Sequence, residues 1–273
     1  MLWRGLYRHN YFTMKNRIFI RSLAITVIGF FLLYQSAFAQ QKAEPADSLE
    51  RAGELFRTGD EQAGLDLYQD ILNDHPQNLE ALWNTAVIFA RMGYRQASEE
   101  AQREYYEKAI NAAERALRHH PDSGYSHYAM AVAKGRLTEV LDTGDRIETS
   151  NEIKDHLQKA SDKLPRFAPV WHLYGVWHSD VANVSGIGRA AAGLFSEGLP
   201  DASNEKAEAY LKRAISLRSD NILFRLDLAK HYLKTDREDE AKKVLSGLVS
   251  LEPTMKGDEK LLQEAREMLR NLS

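Results

Sequence analysis

Residues 221–254 have the residue spacing of two short helices that pack against each other. Small and apolar residues fall on one stripe of each predicted helix: Leu228, Ala229, Tyr232, Ala241, Leu245 and Leu248. A turn at residues 234–236 separates the helices, and Pro253 ends the unit. Ala229 and Ala241 are small enough to let the two helices approach closely. Such a unit cannot bury its apolar face alone, so the rest of the chain is expected to supply neighbours.

Similar pairs recur along the chain, at residues 48–73, 83–121, 128–165 and 171–219. This spacing is typical of the tetratricopeptide repeat. We therefore predict an all-α, tetratricopeptide-like helical-repeat solenoid (an α-α superhelix) over residues 48–273. Residues 258–272 have an apolar stripe opposite a charged face and are predicted to form the C-terminal capping helix. The large aromatic residues at repeat positions are expected to lie mainly in the core: Trp83, Tyr128, Trp171, Trp177 and Tyr232.

Three insertions interrupt the regular pattern. Residues near 95–104 are charged and helix-favouring, which predicts extra turns that project beyond the edge of the solenoid. Residues 137–149 include an acidic turn at 142–145, which lacks the full ligand spacing of a calcium loop. The segment of residues 183–204 is too long for an ordinary connection, so we expect it to contribute to binding specificity.

The N-terminal region has the features of an export signal. Lys15, Arg17 and Arg21 precede an apolar run at residues 23–33, and residues 37–39 are Ala-Phe-Ala. Residues 1–39 are therefore predicted to be a signal peptide cleaved between Ala39 and Gln40, with Met14 as a better start than Met1. Residues 40–47 are predicted to be a flexible leader. An uncleaved membrane anchor over residues 23–38 is the alternative.

Charge and composition narrow the possible functions. Removal of residues 1–39 would remove five basic residues and no acidic ones, changing the formal charge from −3 to −8. An acidic mature chain argues against binding to nucleic acid. The absence of cysteine excludes disulfides and thiolate catalysis. We expect an exported protein, either periplasmic or secreted.

No enzyme site or cofactor site is predicted. His172 and His178 resemble the beginning of a metal cluster with Asp180. On a helix, however, residues six apart are rotated by about 240° around the helix axis, so the two imidazoles do not share a face. No set of nucleophile, base and orienting residue can be selected from the sequence.

The candidate site is the concave groove lined by the first helix of each pair. The tetratricopeptide register places seven residues beside the packing stripe: Asn84, Ile88, Arg91, Arg136, His172, Ser179 and Lys230. Three cations in one groove suit a carboxylate, an acidic peptide tail or a lipid head group. The alternative is that these cations only pair with neighbouring Glu and Asp side chains.

The C-terminal two thirds of the chain resembles the regulator of microtubule dynamics family. The similarity begins near residue 79 and is carried by residues 151–157, 159–160, 171–177, 189–195, 200 and 208–214. The resemblance implies a tetratricopeptide-like helical domain without enzymatic activity. Eukaryotic members are linked to microtubules or organelle contacts, and some to lipid. Here a bacterial-type export signal takes the place of the organelle-targeting region, so microtubules are not expected as a partner.

These observations lead to two functional hypotheses. The first is a non-catalytic scaffold that binds a protein or peptide of the cell envelope in its concave groove. The second is a carrier of a lipid or small ligand whose pocket is covered by residues 183–204. An apolar cavity beneath that insertion would favour the carrier, and an open polar groove would favour the scaffold.

Overall fold

The computed structural model describes residues 45–193 and 198–272, which form α-helices joined by short connections. In chain order the helices are α1 (Pro45–Thr58), α2 (Glu61–Asp74), α3 (Leu79–Tyr94), α4 (Glu99–His119), α5 (Gly124–Leu137), α6 (Thr143–Lys163), α7 (Ala168–Ala182), α8 (Gly186–Ala192), α9 (Asn204–Leu217), α10 (Ile222–Lys234), α11 (Glu238–Leu248) and α12 (Asp258–Asn271). A 3₁₀ turn, Thr138–Val140, follows α5. The predicted signal peptide at residues 1–39 lies outside the described residues. Of the predicted leader, residues 45–47 form the first turn of α1.

The helices are arranged as the repeat pattern predicts, and the all-α tetratricopeptide-like fold is confirmed. The pairs are α1 with α2, α3 with α4, α5 with α6, α7 with α9, and α10 with α11. Helix α12 follows the last pair. Leu262 and Ala265 of α12 join Leu226 and Leu245 in one buried cluster, so α12 covers the apolar face that α10 and α11 would otherwise expose.

Seven of the described helices begin at a side-chain cap. In each case an Asp, Asn or Ser oxygen accepts a hydrogen bond from a backbone N–H of the first turn, which stabilises the helix by about 1 kcal/mol. The capping residues are Asp60, Asn78, Ser98, Ser123, Asp142, Ser203 and Asn221. The acidic turn at residues 142–145 is therefore explained by Asp142, whose carboxylate caps α6.

Small residues allow the helices of a pair to approach closely, as the sequence predicts. A Cβ added at Gly64 would lie 3.0 Å from the Ala52 carbonyl oxygen, where α2 crosses α1. A Cβ added at Gly175 would lie 2.7 Å from Leu211 Cγ, where α7 crosses α9. Glycine is required at such crossings because backbone atoms of the partner helix occupy the space of a side chain.

The first two insertions pack against each other. Only residues 99–104 add turns to α4, because residues 95–98 form the connection that precedes it. The sequence suggested that these turns would project beyond the edge of the solenoid. In the structure they contact the second insertion instead. Arg103 donates a hydrogen bond to the Val140 carbonyl, and Tyr106 Oη donates to Glu139 Oε2 at 3.0 Å. The extended α4 therefore supports the 3₁₀ turn contributed by the second insertion.

The third insertion, residues 183–204, contains the short helix α8. Its two ends are held together by their amide side chains. Asn183 Nδ2 donates to Asn204 Oδ1 at 2.7 Å, and Asn204 Nδ2 donates back to Asn183 Oδ1 at 3.3 Å. This reciprocal pair fixes the end of α7 beside the start of α9, so the insertion leaves and rejoins the solenoid at one point.

The aromatic residues at repeat positions differ in how far they are buried. Trp177 and Tyr232 are buried, in agreement with the sequence analysis. Trp83, Tyr128 and Trp171 are only partly buried. Trp83 belongs to an aromatic cluster with Tyr125, Tyr128 and Phe167, in which the ring centroids are 5.3–6.3 Å apart.

The connection before α12 also contacts the turn of the first pair. Lys256 Nζ donates a hydrogen bond of 2.8 Å to the Gly59 carbonyl. Gly59 has a φ of +98°, a conformation that glycine adopts without steric cost. This contact joins the first and last pairs of the array directly.

Candidate functional site

Three of the seven predicted groove residues are not available to a ligand. Ile88 and Ser179 are buried, and Asn84 is buried with its Nδ2 bonded to the Glu80 carbonyl at 2.9 Å. Ser179 Oγ lies 2.9 Å from His231 Nδ1 of the next pair. The sequence register placed these three residues beside the packing stripe, but the folded chain buries them. These three assignments are therefore corrected: the side chains pack between helices and do not line an open groove.

Arg91 holds the first two pairs together. Its guanidinium lies 2.9 Å from Glu61 Oε1 and 4.8 Å from the centre of the Phe56 ring. Arg95 also pairs with the Glu61 carboxylate. Because Glu61 is buried, its charge depends on these two arginines for compensation. Arg91 is thus part of a structural ion-pair network between the first two pairs.

Arg136 forms a different arrangement around an exposed aromatic ring. Its guanidinium carbon lies 4.3 Å from the centre of the Tyr94 ring, and its Nη1 lies 2.6 Å from Glu139 Oε1. Tyr94 ends α3 and is 58% exposed. A cation over a solvent-exposed aromatic ring is stabilised by about 0.5–1 kcal/mol. Tyr94 was not among the predicted groove residues, although its position immediately before the first insertion was a signal for it.

Lys230 and His172 share a third polar group. Lys230 Nζ lies 2.8 Å from Glu264 Oε1 of the capping helix and 3.8 Å from Asp227 Oδ1. His172 Nε2 lies 2.7 Å from Asp227 Oδ2. The His172 ring is stacked on Phe224 with a centroid distance of 4.5 Å.

The carboxylates around Lys230 determine the direction of its pKa shift. Burial acts to lower the pKa of Lys230, but the bond to Glu264 and the charges of Asp227, Glu264 and Tyr94 raise it overall.

All three predicted groove cations have a carboxylate partner. The pairs are Arg91 with Glu61, Arg136 with Glu139, and Lys230 with Glu264. The structure therefore agrees with the alternative given for these cations, in which each pairs with a carboxylate of the same chain. The pairs of Arg136 and Lys230 are partly exposed and contribute only about 0–1 kcal/mol, so an incoming carboxylate can replace Glu139 or Glu264 at little cost.

A buried polar group lies where the third insertion joins the solenoid. His178 Nδ1 accepts a hydrogen bond of 3.3 Å from the Ser203 backbone N–H, which places the ring proton on Nε2. Nε2 of His178 and Nε2 of His231 are buried and have no hydrogen-bond partner within the described ranges. Burial lowers the pKa of His178 to about 4, so the ring is neutral at physiological pH. The side chains that anchor the insertion are polar.

Residues 45–193 and 198–272 contain neither a metal cluster nor a helix suited to a membrane. Within them, no three His, Cys, Asp or Glu side chains are grouped closely enough to hold a metal ion. His172 and His178 are held separately, by Asp227 and by the Ser203 backbone. None of the helices described combines the length and apolar character that a membrane span requires.

Comparison with known proteins identifies the family. The family model described as "Regulator of microtubule dynamics protein 1-3" matches residues 48–273, which is most of the chain. The chain belongs to this family. It is 27% identical to regulator of microtubule dynamics protein 1 of Bos taurus over 237 residues, covering 84% of this chain and 73% of that protein. It is 26% identical to regulator of microtubule dynamics protein 3 of Rattus norvegicus, of which it spans only 47%.

A solved structure supports the fold assignment of this family member. A thermophilic tetratricopeptide-repeat protein of Thermus thermophilus superposes with a TM-score of 0.60 at 21% identity. The match covers 83% of this chain and all of that chain. The likeness shows the fold alone.

Proposed function

We propose that this family member is a non-catalytic interaction scaffold that binds a protein or peptide of the cell envelope in the groove lined by its first helices. The strongest support for this proposal is the arrangement of side chains around Tyr94. The guanidinium of Arg136 from the next pair lies over this exposed ring, 4.3 Å from its centre. Aromatic residues and arginine are the side chains most often found at the energetic centre of protein interfaces.

The chemistry of this surface selects a partner with an apolar group beside a carboxylate. The Tyr94 ring offers an exposed apolar face, and Arg136 can exchange Glu139 for a carboxylate of the partner with two parallel hydrogen bonds. Lys230 can act in the same way once it releases Glu264. We expect an acidic peptide segment rather than a basic one.

The location of the partner rests on the export signal predicted at residues 1–39. An exported chain meets envelope proteins and does not meet microtubules, although microtubules appear in the names of its relatives. The carrier hypothesis requires an apolar cavity under residues 183–204. The described side chains that anchor this insertion are polar, which favours the scaffold.

The test is a cross-linking experiment with the protein in its own envelope fraction. The variant Tyr94→Ala with Arg136→Glu is expected to reduce the recovered partner at least about tenfold, because it removes the aromatic contact and reverses the cation. Arg91 is left unchanged because its loss would leave buried Glu61 without one of its two arginine partners. Quantitative mass spectrometry of the cross-linked polypeptides provides the measurement.

The matched control is Arg118→Glu, which makes the same charge change at an exposed position near the end of α4. It is expected to recover the partner at the wild-type level. Equal recovery by the folded groove variant and the wild type would show that the groove is not the binding surface. A stoichiometric lipid in native mass spectra of the purified protein would favour the carrier instead.

A further inference from the structure

A second cleft lies outside the groove, between the second helices of the first two pairs. Helices α2 and α4 both pack on α3 and leave between them a cleft of about 560 Å³. Its floor is formed by Leu72, Thr85 and Phe89. Thr85 is buried, and its hydroxyl has no hydrogen-bond partner in the described part of the chain. Nothing in the proposed groove function uses this cleft.

The two walls of the cleft carry matched rows of side chains. Residues 66, 69, 70 and 73 follow one face of α2, and residues 108, 111, 112 and 115 follow one face of α4. Both rows have the i, i+3, i+4, i+7 spacing that places side chains on one helix face. Each row is therefore about 10 Å long, which is the length of three to four residues of extended polypeptide.

The charges of the two rows are opposite. The α2 wall contributes Asp66 and Asp70, and the α4 wall contributes Lys108 and Arg115. The structure shows no ion pair between the walls for the residues that it describes. Asp66 accepts a hydrogen bond from Gln62 of its own helix at 2.7 Å, and Lys108 pairs with Glu104 of its own helix at 2.6 Å. Arg115 Nη2 donates a hydrogen bond of 3.4 Å to the Pro76 carbonyl, in the connection that follows α2. The cleft is thus lined by opposite charges that do not pair across it.

Carboxamide side chains also line the cleft, beside the charged residues. Gln69 and Asn73 lie on the α2 wall, and Asn111 lies on the α4 wall. Each carboxamide offers both a donor and an acceptor, which is the combination that a polypeptide backbone requires. A nucleic acid would be repelled by the two aspartates, and a lipid chain would meet polar walls. An extended peptide with side chains of both signs satisfies all of these groups.

We infer that the cleft between α2 and α4 is a docking site for an extended polypeptide segment of a partner, carrying basic and acidic side chains. Its basic side chain pairs with Asp66 or Asp70, and its acidic side chain pairs with Lys108 or Arg115. The segment's backbone bonds to Gln69, Asn73 and Asn111. This surface is separate from the groove around Tyr94, so a single molecule can hold two partner segments at once.

The experiment uses three fluorescein-labelled peptides of about seven residues, blocked at both ends. One alternates lysine and glutamate with serine between them, one replaces glutamate by lysine, and one replaces lysine by glutamate. Fluorescence anisotropy measures the affinity of the purified protein for each peptide. The mixed peptide is expected to bind about tenfold more tightly than either uniform peptide, which corresponds to about 1.4 kcal/mol.

Variants locate the binding. Arg115→Glu makes both walls acidic, so we expect it to weaken the mixed peptide about tenfold and to strengthen the lysine peptide. Arg118→Glu on the same helix lies outside the cleft and is expected to change neither affinity. Hydrogen exchange on the complex should show new protection in α2 and α4 and none at Tyr94. Thermal unfolding confirms that both variants are folded.

Several results would overturn the inference. Equal binding of the three peptides would remove the requirement for both charges, and equal effects of Arg115→Glu and Arg118→Glu would move the site elsewhere. Complete competition by an excess of free lysine and glutamate would assign the cleft to free amino acids instead of a polypeptide. Because the groove variant leaves α2 and α4 unchanged, the groove and the cleft can fail independently.

Discussion

Replacement of Gly175 by alanine is expected to lower the free energy of unfolding by about 3 kcal/mol. The new Cβ would lie 2.7 Å from Leu211 Cγ, 2.9 Å from the Leu211 backbone nitrogen and 3.1 Å from the Ala207 carbonyl oxygen. Leu211 is itself fully buried and cannot move aside without disturbing the core. Helices α7 and α9 would have to separate, which would also disturb both ends of the insertion at residues 183–204. Urea unfolding followed by circular dichroism measures the loss.

Gly135→Ala provides the matched control. Gly135 lies inside α5, and a Cβ added there meets no atom within 4 Å. Alanine is favoured over glycine in a helix by about 0.5–1 kcal/mol, so this variant should be slightly more stable than the wild type. A Gly175→Ala protein as stable as the Gly135→Ala protein would contradict the close crossing of α7 and α9.

Acid is expected to destabilise the protein by roughly 3 kcal/mol between pH 6.5 and 5, mainly through His156 and His178. Burial, followed by the charges of His127, Lys134 and Lys159, lowers the pKa of His156 to about 4. Burial, followed by the charges of Lys206 and Lys154, lowers the pKa of His178 to about 4. Both rings are therefore neutral in the folded protein throughout this range.

The sign follows from the unfolded chain, in which histidine has its ordinary pKa of 6.5. Above pH 6.5 both states are neutral and no stability is lost. Below it the unfolded chain binds protons that the folded protein does not, so stability falls as the pH falls, until the folded pKa near 4 is passed. The contact between His127 Nδ1 and His156 Nδ1 at 2.8 Å agrees with this, because one of the two nitrogens must be unprotonated to accept the hydrogen bond.

Urea midpoints measured across this pH range test the expectation. His156→Gln removes one of the two groups. It should reduce the slope of stability against pH by about 1.4 kcal/mol per pH unit, in the range between the unfolded pKa and the folded pKa of His156. His75→Gln, at an exposed position after α2, is the matched control for the substitution itself. A wild-type protein whose stability is constant from pH 6.5 to 5 would exclude neutral buried histidines.

The candidate site shows which kinds of residue a repeat pattern can identify. The register placed Arg91, Arg136, His172 and Lys230 on partly exposed positions of the first helices, as the structure has them. It also included Asn84, Ile88 and Ser179, which neighbouring helices bury. It omitted Tyr94, and it did not predict the cleft between α2 and α4. These errors arise because a register relates positions within one pair, whereas exposure depends on how the next pair is rotated against it.

The sequence by itself determined the helices, their caps and their order in pairs. These properties depend on neighbours a few residues apart, such as the stripe of Leu228, Ala229 and Tyr232 or the side-chain cap at Asn221. Only the tertiary structure decided which carboxylate meets each cation, where the extended α4 rests, and that Lys256 contacts Gly59. Those contacts join residues far apart in the chain, and their geometry depends on the summed rotations of all intervening pairs. No local pattern records that sum, so the binding surfaces required the folded chain.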